Sequence, residues 1–221
     1  SDRADFKMDI YNSDGSRARM CGNAARCVAK YVCDNGLTDK SLISLETPGG
    51  IKYIDTYKEN GKVVSARVNM GAPILKSRDI PALFDSDTVI DLPLKVGEKS
   101  YRVTCLSMGN PHCVIFSNDA DSVNIQKTGP EFENHPAFPV QPLSGSHIKM
   151  RVWERGAGET LSCGTGACAA AAACILNGYC KRDTDIAVTL RGGELSVNWS
   201  ADGAVYLTGP AATVFTGEIT C

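Results

Sequence analysis

The sequence predicts an α+β fold of two pseudo-symmetric lobes. Each lobe is expected to be a strongly curved, barrel-like sheet around a central helix, with the functional site in the cleft between them. Three observations carry this expectation. First, a motif occurs twice: Cys21-Gly22-Asn23 and Cys163-Gly164-Thr165 are each followed by alanines and a second cysteine. An internal echo of this kind points to two similar halves. Second, Ala167 to Leu176 is nearly all small or apolar, so its helix should be buried on every side, as a helix wrapped by sheet would be. Third, Phe6 to Tyr11, Ile51 to Tyr57 and Val63 to Met70 alternate polar and apolar residues, as half-buried strands do.

The elements follow in order. Phe6 to Tyr11 alternates and reads as a strand, and Asn12-Ser13-Asp14-Gly15-Ser16 is a turn sequence. A helical run follows the first motif, Val28 to Cys33, and Asn35-Gly36 ends it. Ser41 to Glu46 is a strand, and Thr47-Pro48-Gly49-Gly50 a turn. Ile51 to Tyr57 and Val63 to Met70 form a hairpin around Glu59-Asn60-Gly61. Gly71-Ala72-Pro73 marks the crossing between the lobes, which places 1–72 in the first and 73–208 in the second. Ile74 to Pro93 is rich in loop residues. Ser100 to Ser107 and Cys113 to Phe116 are strands joined through Met108-Gly109-Asn110-Pro111-His112. Val152 and Trp153 favour extended backbone, a glycine-rich turn follows Glu154-Arg155, and the second motif opens the alanine helix. From Ile186 the chain reads as four strands, the last of them ATVFTGEIT.

Both motifs place a cysteine at a helix N-terminus, where unpaired N–H groups and partial positive charge collect. Such a position lowers a thiol pKa and can hold a carboxylate. Cys21 and Cys163 facing each other would suit a reaction that needs an acid and a base on opposite faces of one carbon. Gly22-Asn23 and Gly164-Thr165 would offer backbone N–H groups at close range. Cys27, Cys33, Cys168 and Cys174 sit in apolar helical runs and read as small core residues.

Composition narrows the remaining classes. At 221 residues, 43% of them hydrophobic, the chain can bury a substantial core. A net charge of −2 gives no footprint for nucleic acid or for an anionic membrane surface. No apolar run is long enough to span a bilayer, and Ser1-Asp2-Arg3 does not begin a signal peptide. The ten cysteines include no C-x-x-C pair, so no metal site is expected. A chain this large needs no disulfide staples, which favours a reducing cytoplasm. No dinucleotide fingerprint follows a strand, and no lysine sits in a pyridoxal-phosphate setting, so no cofactor is expected.

The runs NSDGSRARMCGNAARC, MGNPHCV, RVWERGAGETLSCGTGACAAAA and GGELSVNW…VYLTGPA carry a resemblance to a known family. The chain resembles the diaminopimelate epimerases, within the cofactor-independent amino-acid racemases and epimerases. Proline racemases share the two-cysteine logic, but their first cysteine is typically followed by Gly-His and they lack ERGAGET. The resemblance implies interconversion of LL- and meso-diaminopimelate by two-base proton transfer at the α-carbon, in lysine and cell-wall precursor synthesis. It makes Cys21 and Cys163 the bases, with His112 beside Cys21 and Glu154 beside Cys163. It assigns Asn12, Gly22, Asn23, Asn110, Glu154, Arg155, Gly164 and Thr165 to substrate binding, with Arg155 a fork for the distal carboxylate. It also implies that the last strand, about 209–221, completes the first lobe.

Family members carry roughly fifty further residues ahead of Phe6, and a short asparagine-bearing segment after the equivalent of Pro139. Here Val140-Gln141-Pro142 follows at once. The rival readings are another racemase on the same scaffold and a truncated, inactive substrate-binding homologue. The expected partner is a small molecule, with neither nucleic acid nor membrane. A homodimer is one expected state, since family members are often dimers. Two facing thiols could also bridge on oxidation, so activity is expected to need reductant.

Overall fold

The computed structural model describes all residues except 12–14, 16, 81, 136, 138–147, 155–156 and 218–221. The first unit contains β1 (Phe6–Lys7), β2 (Ile10–Tyr11), β3 (Arg17–Ala18), α1 (Gly22–Asp34), β4 (Leu42–Thr47), β5 (Gly50–Glu59) and β6 (Lys62–Gly71). A middle unit follows, with β7 (Val89–Val96), β8 (Lys99–Ser107), β9 (Pro111–Ile115) and α2 (Ile125–Glu133). The last unit contains β10 (Ile148–Lys149), β11 (Val152–Glu154), β12 (Gly158–Thr160), α3 (Gly164–Leu176), β13 (Ile186–Leu190), β14 (Gly193–Trp199) and β15 (Val205–Pro210).

The content is α+β, but the two barrel-like lobes are not formed. The first and last units share one open, eight-stranded sheet in the order β1-β4-β5-β6-β15-β14-β13-β10. The joint is the antiparallel ladder between β6 and β15, running from Val205 opposite Gly71 to Pro210 opposite Ser65. Because each unit's last strand pairs with the other's, neither sheet closes on itself. Among the described residues, β1 and β10 are the edges of this sheet.

The internal duplication is visible in this order, which reads alike from both ends. Each unit opens with a short strand parallel to the first strand after its helix: β1 beside β4, and β10 beside β13. Each then makes a two-stranded hairpin, β2-β3 or β11-β12, before its helix. The helices have 13 residues each, start from a cysteine cap and end at Asn35 or Asn177. A glycine in left-handed backbone follows each asparagine, Gly36 at φ 69° and Gly178 at φ 78°.

The helices differ in what covers them. α1 buries one face, Gly22, Ala25, Arg26, Ala29, Val32 and Cys33, against the eight-stranded sheet, while Tyr31 on the other side is exposed. Cys27 is exposed too, so it is not the core residue expected. α3 lies between that sheet and the three-stranded sheet β7-β8-β9. It is therefore covered on all sides, and Gly164 to Cys174 are buried without a break. Alanine suits this position, because two sheets can close on a helix whose side chains are one carbon deep. Asn177 ties the end of α3 to β8, its amide donating to Thr104 Oγ1 at 2.9 Å.

Two local expectations fail, and one helix comes in addition to those expected. β7 lies where a loop was expected, its ladder with β8 interrupted by a bulge at Asp91, whose φ is 50°. α2 carries Gly129 and Pro130 internally, which hide its helical pattern. Residues 212–217 form no strand and are exposed.

Candidate active site

Cys21 and Cys163 cap their helices in nearly the same backbone conformation, at φ/ψ of −139°/113° and −128°/108°. Each sulfur accepts a hydrogen bond from the amide three residues on: Ala24 N–H at 3.5 Å and Gly166 N–H at 3.3 Å. This is the geometry of an oxygen N-cap with sulfur in its place.

The two helix N-termini meet. A Cβ placed on Gly164 would lie 3.4 Å from Asn23 Oδ1 and 3.7 Å from Gly22 Cα. Beneath both glycines sits Leu207 of β15, 2.8 Å from a Cβ on Gly22 and 3.0 Å from one on Gly164. Here glycine is required by close approach. The Asn23 amide crosses to the other unit and donates to Ser162 Oγ at 3.4 Å.

The surroundings of Cys163 are well defined. It is 7% exposed, and its sulfur lies 3.5 Å from Thr165 Oγ1. Burial pushes its thiol up to about 11, and the Glu154 carboxylate adds to the rise. The Thr165 and Gly166 hydrogen bonds pull the other way and lose. The expected lowering by the helix N-terminus is thus overturned at this thiol, because removal from water outweighs the helix end. Glu154 is fixed in turn by Thr160, whose hydroxyl donates to it across the β11-β12 hairpin. Glu154 thus stands near enough to Cys163 to act on its titration.

His112 is placed differently. Its Nε2 pairs with Asn110 Oδ1 at 3.3 Å, and its Nδ1 is buried without a hydrogen-bond partner among the described residues. Neither nitrogen hydrogen-bonds Cys21 among the described residues. The ring is 2% exposed, and burial lowers its pKa to about 3, so it is neutral at ordinary pH. Asn110 itself is exposed. Asn12 and Arg155 lie outside the described residues.

Several residues that shape the site escaped sequence reasoning. Arg26 is buried at 6% exposure directly behind the first cysteine motif. Glu159 accepts from Arg151 at 2.7 Å and pairs with Arg191 at 3.1 Å, holding the hairpin that carries Glu154. Arg26 left a signal in the repeat: position for position, it falls where the second motif has Cys168. A charge inside an otherwise small and apolar repeat marks the two halves as unequal.

The fold is shared with proteins of known structure. The chain superposes on a probable proline racemase from Agrobacterium radiobacter K84 with a TM-score of 0.72, at 15% identity, over 97% of this chain and 71% of that one. It superposes on a hydroxyproline epimerase from Agrobacterium vitis with a TM-score of 0.69, at 14% identity, over 92% and 67%. These likenesses concern the fold.

The sequence is more particular. The diaminopimelate epimerase family matches residues 1–76 and 104–214. A diaminopimelate epimerase of Agathobacter rectalis is 51% identical over 99% of this chain and 81% of its own length. One from Methanococcus maripaludis is also 51% identical, with the same coverage. The chain belongs to the diaminopimelate epimerase family and is an isomerase acting on a small amino-acid substrate. No described helix is long and apolar enough to cross a membrane.

Proposed function

We propose that this protein interconverts LL- and meso-diaminopimelate by moving one proton across the α-carbon between two thiols. One observation carries the reading: Cys21 and Cys163 cap two helices whose N-termini meet at Gly22 and Gly164. A substrate α-carboxylate at this junction would receive first-turn N–H groups from both helices, at Gly22-Asn23 and Gly164-Thr165. The α-carbon would then lie between the two sulfurs.

In the step, one sulfur as thiolate takes the α-proton. The electron pair left behind spreads into the carboxylate, where the helix ends stabilise it. The other sulfur, as thiol, returns its proton from the opposite face. Each turnover thus leaves the two thiols with exchanged protonation, and the pair titrates as a coupled system. Burial and the Glu154 carboxylate both favour the thiol form of Cys163 in the ligand-free protein. Arg155 and Asn12 complete the binding of the distal end, and Glu154 pairs there with the distal ammonium. A mechanism that works only with free thiols suits a reducing, cytoplasmic setting.

The test is α-proton exchange by NMR, with reduced protein and diaminopimelate in D2O. Loss of the α-proton signal with inversion at the α-carbon is the expected result, the inversion abolished by Cys21→Ala and by Cys163→Ala. Inversion that survives either substitution overturns the two-thiol mechanism. Exchange of proline but not of diaminopimelate overturns the substrate.

A further inference from the structure

We propose that Arg26 is a positioning residue that joins the two halves of the site through Asn23. This rests on the two-thiol reading above. The guanidinium is buried within the first turns of α1 and spreads its donors over three acceptors. Nε donates to Pro210 O at 3.3 Å, one terminal nitrogen to Gly22 O at 3.3 Å, and the other to Asn23 Oδ1 at 3.2 Å. These acceptors belong to the end of β15 and to the start of α1, the two elements that floor and wall the junction.

The bond to Asn23 has a directional consequence. A side-chain amide has one acceptor end and one donor end. With the oxygen held by Arg26, the nitrogen must face the other way, and there it donates to Ser162 Oγ, the residue before Cys163. Arg26 thus sets which end of Asn23 meets the second unit. An amide turned over would set an oxygen against the Ser162 hydroxyl and its NH2 against the guanidinium.

The backbone is shaped to admit this group. A Cβ on Gly209 would stand 3.2 Å from Arg26 Cζ and 2.5 Å from Leu195 Cδ2, so β15 approaches the guanidinium only because it has glycine there. The second helix has no counterpart, since Cys168 occupies the matching position and is fully buried. The first half alone carries a guanidinium at this position. It crosses to the other half through Asn23 rather than being repeated.

A lysine at position 26 keeps the charge but cannot span the three acceptors, because an ammonium lacks the planar fork. Arg26→Lys is therefore expected to lower kcat about tenfold or more while KM stays within about twofold, since thiol placement and not binding is lost. Ser162→Ala removes the receiving hydroxyl and should lower kcat in the same way. The double variant should be no slower than Arg26→Lys alone, because both cut one linkage.

A second readout needs no substrate. The Asn23 side-chain N–H resonances, assigned by their loss in Asn23→Asp, should shift in both Arg26→Lys and Ser162→Ala. Full activity in Arg26→Lys, multiplicative losses in the double variant, or an Asn23 amide indifferent to Arg26→Lys each overturns the proposal. If Arg26→Lys does not fold, Ser162→Ala carries the test, and an unchanged kcat or Asn23 amide in it is the overturning result. Wild-type protein that turns over no diaminopimelate sinks the functional reading, while the amide measurement still decides the role of Arg26.

Discussion

Gly22 and Gly164 hold two helix N-termini so close that a Cβ on Gly164 would sit 3.7 Å from the Cα of Gly22. The same carbon would press on Leu207 at 3.0 Å and on Asn23 Oδ1 at 3.4 Å. Gly164→Ala is therefore expected to part the helices by a few tenths of an ångström. Overpacking of this kind costs about 1–3 kcal/mol of stability. Turnover should fall by about tenfold or more, because catalytic geometry tolerates displacement poorly. Leu207→Ala in the same chain relieves the floor contact but not the contact with Asn23. Leu207 is itself fully buried, so the double variant should lose less stability than the two single losses added together, and should regain little of the activity. Recovery of full turnover in the double variant would show that the helix-to-helix approach is irrelevant.

The titration of Cys163 follows from its surroundings. With its pKa raised to about 11, its alkylation by iodoacetamide should keep accelerating well above pH 9. Glu154→Gln removes a negative charge beside the sulfur and should move the midpoint down. Peptide mapping by mass spectrometry, as a function of pH, reads both. A Cys163 that reaches its plateau near pH 8, or one unmoved by Glu154→Gln, contradicts the assigned cause.

His112 gives the protein an acid-side liability. Its folded pKa of about 3 lies below the ordinary value of 6.5, so the unfolded chain binds a proton there that the folded chain refuses. Its contribution is complete above about pH 6.5 and is lost as pH falls toward 3. The slope from this one group is about 1.4 kcal/mol per pH unit. Denaturant titrations between pH 6.5 and 4.5 isolate it from the carboxylates, whose ordinary values lie lower. In His112→Gln the slope over that window should shrink by one proton. An unchanged slope would falsify the neutral, buried state of this ring.

The helix caps of the site were more legible in the sequence than its architecture. A cysteine followed by glycine and small residues announces a capped helix by local rules alone, and both caps lie where those rules put them. Strand pairing is not a local property. β6 and β15 each read as strands, but nothing in either shows that they pair and merge two expected barrels into one open sheet. α2 was hidden because Gly129 and Pro130 break the pattern that signals a helix, and β7 because Asp91 bends it at a bulge. The thiol pKa was misjudged because a helix end is visible in sequence and burial beneath two sheets is not. Arg26 was overlooked because its three acceptors come from the start of its own helix and from Pro210, far along the chain.

Gly129 links the least legible helix to the site. A Cβ there would meet the Trp153 ring at 2.3 Å, so α2 lies flat against the indole. The ring cannot retreat freely, because its N–H donates to Glu133 at 2.6 Å. Trp153 precedes Glu154, and any shift of the indole moves the carboxylate that neighbours Cys163. Gly129→Ala is expected to destabilise the protein by about 1–3 kcal/mol despite the better helix propensity of alanine. It should also change the emission of Trp153, one of only two tryptophans, and lower turnover. Lys127→Ala, on the exposed side of the same helix, should stay within about 0.5 kcal/mol and leave emission and turnover alone. If Gly129→Ala instead stabilises the protein with emission unchanged, α2 does not brace the hairpin, and Glu154 owes its position to Thr160 and Glu159 alone.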